Sequence, residues 1–268
     1  MKVFVIDAAK CSGCYNCQIA CKDEHCDNDW MPYAAPQPHS GQFWMRVNQK
    51  DHGQVPKVRV EYTPWPCMHC DNPACAAVGS DAVIKREDGL VLLDPAKAKG
   101  HPELVDTCPY GAIFYNEKED IAQKCTGCAH LVDEGKLPHC VDLCATGALR
   151  FGEEEAFADQ IGVAETMLPE TGCSPRVFYV NLPHLFIGGE IWDPESNEIV
   201  EGAHVALAMP DGSTLETESD DFGDFWFRHI DAGTYALRIE AEGYEPVERA
   251  NIEVKESLNL GDFPLTRE

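Results

Sequence analysis

Near its start the chain carries an unbroken apolar run, Val3-Phe4-Val5-Ile6, which predicts a strand. Short apolar segments follow at Ala82-Val83-Ile84, Gly89-Leu90-Val91-Leu92-Leu93 and Ala112-Ile113-Phe114-Tyr115, again read as strands. Residues 27–66 interrupt them with an insertion that holds Trp30, Phe43, Trp44, Tyr62 and Trp65, aromatics suited to packing around a cofactor that needs dry walls. Residues 153–171 are acidic and partly helical in pattern, and Pro175-Arg176-Val177-Phe178-Tyr179-Val180 returns as a strand.

From residue 188 onward the period changes to two. Val205, Leu207 and Met209 alternate with small or polar residues, as do Phe225 with Phe227, and Tyr235, Leu237, Ile239 with Ala241. Turn signals at Asp211-Gly212 and Asp231-Ala232-Gly233 separate these runs. Antiparallel strands in a sandwich or barrel are expected. The regions predicted are thus 1–152 (with the insertion 27–66), a connector and return strand over 153–187, and a β-domain over 188–268.

Cysteine usage changes the picture of the first region, because thirteen of the fourteen cysteines precede residue 145. Cys11, Cys14, Cys17 and Cys21 are spaced C-x2-C-x2-C-x3-C, the bacterial ferredoxin run in which three thiolates hold one [4Fe-4S] cluster and the fourth reaches another. Cys125, Cys128, Cys140 and Cys144 repeat the three-plus-one form with one gap widened. Crossing the two runs gives Cys11, Cys14, Cys17 and Cys144 for cluster one, and Cys125, Cys128, Cys140 and Cys21 for cluster two.

Cys67, Cys70 and Cys75 open a third run, and Cys108 ends its partner. These four make cluster three. The remaining ligand positions by the same spacing are Gly79, Ala98, His101 and Leu104, none of them cysteine. One site is lost whole while its neighbour is intact, so three [4Fe-4S] clusters are expected. A zinc ion suits one isolated C-x2-C run, but three interlocking sets weigh against it, and disulfides fit the tandem spacing less well still. Cys26 and Cys173 are read as inert thiols, His101 as a surface histidine, and His69 as a packing residue or a hydrogen-bond donor that tunes a cluster.

The chain has 268 residues with 46 acidic against 21 basic, a formal charge of -25. That excess makes nucleic acid and anionic membranes poor partners. No apolar stretch nears the roughly 18 residues of a membrane span, and no signal peptide is evident at the start. A cytoplasmic location is expected, with export bound to a signal-bearing partner left open. Asp220, Asp221 and Asp224 lack the spacing of a calcium loop and are read as turn carboxylates. No phosphate-binding glycine loop, dinucleotide fingerprint or catalytic triad stands out, so no catalytic residue is assigned.

The order of the cysteine runs resembles the iron-sulfur subunits of the dimethyl sulfoxide reductase family of molybdopterin enzymes. Residues 217–244, with Asp-Phe-Gly-Asp-Phe and Ala-Gly-Thr-Tyr, resemble the carboxypeptidase-regulatory-like β-sandwich family. The missing cluster, the β-domain, and segments such as Asp94-Pro95-Ala96-Lys97 and Asp106-Thr107-Cys108-Pro109-Tyr110-Gly111 are similar to the small subunits of pyrogallol/phloroglucinol transhydroxylases. The resemblance implies an α+β ferredoxin-like repeat, two nested [4Fe-4S] ferredoxin units followed by a β-sandwich or barrel. It also implies a non-catalytic electron-transfer subunit, with molybdopterin and Mo or W in a large catalytic partner. The same architecture could serve a net-redox catechol dehydroxylase or resorcinol-type hydroxylase with an external electron carrier. A stand-alone iron-sulfur redox or structural protein is the third reading.

Overall fold

The computed structural model describes residues 1–77 and 81–268. They divide into two units, Met1–Gln49 with Tyr62–Leu182, and Lys50–Glu61 with Pro183–Glu268.

In the first unit Lys2–Asp7 is the middle strand of three, antiparallel to Leu149–Glu153 and parallel to Val177–Val180. Every residue from Val3 to Ile6 is buried, which is why that stretch is continuously apolar rather than alternating. Because Val177–Val180 completes this sheet, residues 153–182 belong to the first unit and do not stand apart as a connector. Two small hairpins, Val83–Lys85 with Val91–Leu93 and Ile113–Asn116 with Ile121–Lys124, lie in the same unit. Among the described residues the longest helix is Asn16–His25, and the other α-helices have five residues or fewer. Helix is scarcer than an α+β expectation implies. The cysteine loops explain it: Gly13, His69, Gly127 and Cys128 all take positive φ, which no helix can carry.

The insertion supplies walls for this core. Trp44 is 2% exposed among Phe4, Met68, Tyr179 and most of the spaced cysteines. Trp30 stacks on His130 with ring centroids 4.1 Å apart.

The second unit has two separate four-stranded sheets. One contains Glu198–Ile199, Leu185–Asp193, Asp224–Ile230 and Leu258–Pro264; the other runs Thr214–Glu218, His204–Ala208, Gly233–Glu240, Val247–Val254. Ile187, Ile191, Phe225 and Phe227 from one sheet share a core with Val205, Leu207, Leu237 and Ile239 from the other. This is a sandwich, and the barrel alternative falls because the two sheets stay separate. Each large apolar side chain buried there stabilises the unit by about 1.5–3 kcal/mol.

Residues 50–61, expected as part of the first-domain insertion, pack with the sandwich instead. Buried Lys57 pairs with Asp224 and lies 5.1 Å from the Trp226 ring centroid, and Gln54 accepts the Asn259 N–H at 2.9 Å. Asp220 Oδ1 accepts the backbone N–H groups of Phe222 and Asp224, each at 2.9 Å, as a turn carboxylate does.

Candidate metal centre

None of the fourteen cysteines is joined to another in a disulfide. Twelve of them fall into groups of four whose members act on one another electrostatically.

The first group is built at the start of the long helix. Cys17 lies on Asn16–His25, while Cys11 and Cys14 lie in the loop before it. That loop passes beneath Tyr62 at Gly13, where a Cβ would come within 2.5 Å of the ring and φ is +67°. Burial pushes the Cys17 thiol up to about 12, and thiolate charge at Cys11, Cys144 and Cys14 pushes the same way. The Leu149 N–H points at Cys144 Sγ from 3.4 Å.

The second group shares the helix. Cys21 follows Cys17 by four residues, one turn on, so both lie on its inner face. Burial raises Cys21 well above the ordinary thiol value, with Cys125 and Cys128 adding to it. Cys140 behaves likewise under burial, then Cys128, Cys21 and Cys125. The Gly127 N–H reaches Cys125 Sγ at 3.3 Å. His25 Nε2 lies 3.7 Å from Cys128 Sγ, and His69 Nε2 lies 3.7 Å from Cys125 Sγ.

The third group, Cys67, Cys70, Cys75 and Cys108, lines one cavity together with Met68, Pro109, Tyr110, Ile113 and Lys124. Burial raises the Cys70 thiol, followed by Cys67, Cys173, Cys108 and Cys75. The Ala112 N–H points at Cys108 Sγ from 3.5 Å. Cys173 is a member of this cavity that spacing alone did not bring in, since it lies 29 residues beyond Cys144 with no cysteine near it in sequence. Cys26 lies elsewhere, its Sγ 3.5 Å from His39 Nδ1, while His39 Nε2 is 3.1 Å from Asp27.

The positions at which cysteine is absent are accounted for in part. Ala98 and Leu104 are fully buried in an apolar cluster with Cys75, Ala82, Leu93, Ile113, Ile121 and Ala122. His101 is exposed and bonded to Glu103 at 2.7 Å, a surface histidine as expected. Gly79 lies outside the described residues.

Do these groups suit an iron-sulfur cluster? Thiols raised this far stay protonated until a metal displaces the proton, and a desolvated thiolate needs a cation to neutralise it. Backbone N–H groups aimed at sulfur are donors that cluster-bound thiolates accept. The sharpest sign is Lys124, 3% exposed, whose Nζ donates to Val91 O, to Cys125 O at 3.1 Å and to Cys67 Sγ at 3.5 Å. Among the described residues no carboxylate pairs with it. A buried, unpaired ammonium costs several kcal/mol. A cluster with four thiolates, about -2 in its oxidised form, supplies the missing countercharge.

Grouped thiols on a cysteine-rich scaffold, joined to a β-sandwich, define an iron-sulfur protein of the electron-transfer kind. Residues 58–154 match the 4Fe-4S dicluster domain family and residues 187–266 the carboxypeptidase regulatory-like domain family. This protein belongs to the family of the pyrogallol hydroxytransferase small subunit: it is 40% identical to that protein from Pelobacter acidigallici over 272 residues, covering 97% of the present sequence and 98% of the relative. The B subunit of tetrathionate reductase from Salmonella typhimurium is 34% identical, over 68% of the present sequence and 73% of its own length. The B component of anaerobic dimethyl sulfoxide reductase from Escherichia coli is 38% identical, over 52% of the present sequence and 66% of its own. The protein is thus an iron-sulfur electron-transfer subunit. No described helix is long and apolar enough to cross a membrane.

Proposed function

We propose that this protein holds three [4Fe-4S] clusters and serves, without a catalytic site of its own, a large molybdopterin subunit acting on polyhydroxylated aromatics. The reaction would be hydroxyl transfer of the pyrogallol and phloroglucinol type. The observation that carries this reading is the near full-length match to a pyrogallol hydroxytransferase small subunit, with twelve cysteines standing in groups of four. Cys11, Cys14, Cys17 and Cys144 would hold cluster one; Cys125, Cys128, Cys140 and Cys21 cluster two; Cys67, Cys70, Cys75 and Cys108 cluster three. Two nested ferredoxin units would account for this crossing of ligands.

On this reading the second site would stand between the other two. The helix Asn16–His25 carries Cys17 of the first and Cys21 of the second, and Cys67 of the third acts electrostatically on Cys125 of the second. When bound, the clusters take up and release single electrons. The protein's part is to bury them, to direct N–H donors at their sulfurs, and to leave no iron position open to substrate. Substrate chemistry then belongs to the partner, where Mo or W would sit.

A second reading keeps the architecture but serves a net-redox catechol dehydroxylase or resorcinol-type hydroxylase, using an external electron carrier. The reductase names of two relatives favour it. The complex, purified anaerobically and given a pyrogallol-type substrate pair, decides between them: turnover without added donor or acceptor supports transfer, and a strict need for a donor overturns it. Iron near about twelve atoms per chain supports three clusters. Isolation of the loaded protein with no large subunit would favour one that works alone.

A further inference from the structure

We infer that Lys124 makes the Cys67, Cys70, Cys75 and Cys108 site the higher-potential member of the buried pair it forms with the Cys21, Cys125, Cys128 and Cys140 site, so that an added electron rests there. The inference depends on the cysteine reading above.

The two sites are hydrogen-bonded to each other crosswise. His69 stands between Cys67 and Cys70 in the chain, yet its Nε2 reaches Cys125. Lys124 directly precedes Cys125, yet its Nζ reaches Cys67. The exchange is unequal. His69 Nδ1 accepts the Val91 N–H at 3.0 Å, so that nitrogen carries no proton and the ring is neutral. A neutral imidazole therefore faces the second site, and a full positive charge faces the third.

Further charges favour the same direction. The Arg46 guanidinium, which donates to Tyr110 O and Gly111 O at 2.8 Å, acts on Cys108 and has no carboxylate partner among the described residues. Lys85 donates to Cys70 O at 2.9 Å, although Asp71 offsets its charge. Around the second site Lys22 acts on Cys21 but Glu24 acts on Cys128, and these oppose each other. All four thiols of the second site are buried, against three of four at the third, where Cys108 is half-buried, so solvent differs between them at that one ligand.

Reduction adds one electron to a site that is already anionic, and no bond is made or broken. A fixed ammonium against sulfur lowers the energy of the reduced form more than of the oxidised form. The Coulomb term of a whole charge falls off more slowly with distance than that of the neutral dipoles around the second site. Hydrogen bonds, charge and exposure are the levers that set cluster potential. Lys124 also acts on Cys125, but it donates to sulfur only at Cys67.

The test is a dithionite titration of the anaerobically purified holo-complex, followed by low-temperature spin resonance. Signals are assigned by Cys108→Ser, which should alter the third site alone, and Cys140→Ser, which should alter the second. In the wild-type complex the Cys108-sensitive signal should develop at the higher potential of the two. Lys124→Met should shift that midpoint downward and move the second less; Lys124→Arg should hold it near wild type. If Lys124→Met fails to load iron, Arg46→Gln provides a smaller downward shift at the same site, and the wild-type order stands as a test without any variant. A third-site midpoint at or below the second, or one unmoved by Lys124→Met at full iron content, overturns the inference while leaving the ligand reading intact. A wild-type iron content well short of about twelve per chain, with no Cys108-sensitive signal, overturns the ligand reading itself.

Discussion

His69 Nε2 lies 3.7 Å from Cys125 Sγ, although the two residues belong to different cysteine groups and stand 56 positions apart. The ring spans a buried donor and a buried acceptor, for Val91 N–H is satisfied at Nδ1. His69→Leu removes both bonds and leaves an amide unpaired in the interior, at about 1–3 kcal/mol. It should lower the melting temperature of the holoprotein and also lower the midpoint of the second site. His69→Gln, which keeps a donor, should recover part of both. A midpoint identical in wild type and His69→Leu would reduce His69 to packing alone.

Gly13 is predicted to tolerate no side chain. Its φ of +67° already disfavours other residues by about 1–2 kcal/mol, and a Cβ would sit 2.5 Å from the Tyr62 ring. Gly13→Ala should therefore displace the loop bearing Cys11 and Cys14 and deplete the first cluster, leaving the other two loaded. Iron analysis with spin resonance reads this directly. Adding Tyr62→Ala should restore part of the loss, because it removes the clash but not the backbone strain.

Much of this was legible in the sequence. Ligand spacing is a local property, so the runs at Cys11, Cys67 and Cys125 can be grouped by the crossover rule from residue positions alone. Period two is equally local, and Val205, Leu207, Tyr235, Leu237 and Ile239 do line the sandwich core. What stayed hidden depends on distant segments meeting. Cys173 enters the third cavity, Lys124 turns back on Cys67, and Lys57 leaves its own neighbourhood to pair with Asp224. No spacing announces such contacts, since each is set by how the sheets close.

Acid should weaken the sandwich through Asp193. Hydrogen bonds from Arg267, then the Glu195 N–H and the Tyr244 hydroxyl, hold its carboxyl well below the usual carboxylate range. A depressed folded-state value means the stabilisation is fully present above the unfolded value of about 3.9 and is lost as pH falls through the folded one. Hydrogen-exchange protection in the strand Leu185–Asp193 of the full chain, taken relative to the intrinsic amide rate at each pH, should fall between pH 4 and pH 2. Asp193→Asn should exchange faster at pH 5 and show a flatter response to acid. A variant as acid-sensitive as the wild type would place the effect on other carboxylates.

Stripping the clusters with an oxidant and a chelator should unfold the first unit and spare the second. The core of Met1–Gln49 and Tyr62–Leu182 is built partly from ligands, with Cys17, Cys21, Cys67, Cys70, Cys125 and Cys140 among its buried members. Once the metal is gone those thiols reprotonate, their group loses its bridging centre, and Lys124 keeps a buried charge with nothing to balance it. The sandwich has no cysteine and draws its core from Ile187, Phe225, Leu237 and their neighbours. Limited proteolysis of the stripped protein should therefore cut residues 1–49 and 62–182 early and leave a fragment beginning near residue 183, with residues 50–61 protected alongside it. Lys124→Met should slow that cleavage, because the stripped form then carries no unpaired ammonium, and a cleavage rate unchanged by Lys124→Met would show that the lost thiolate contacts, not the stranded charge, drive the unfolding.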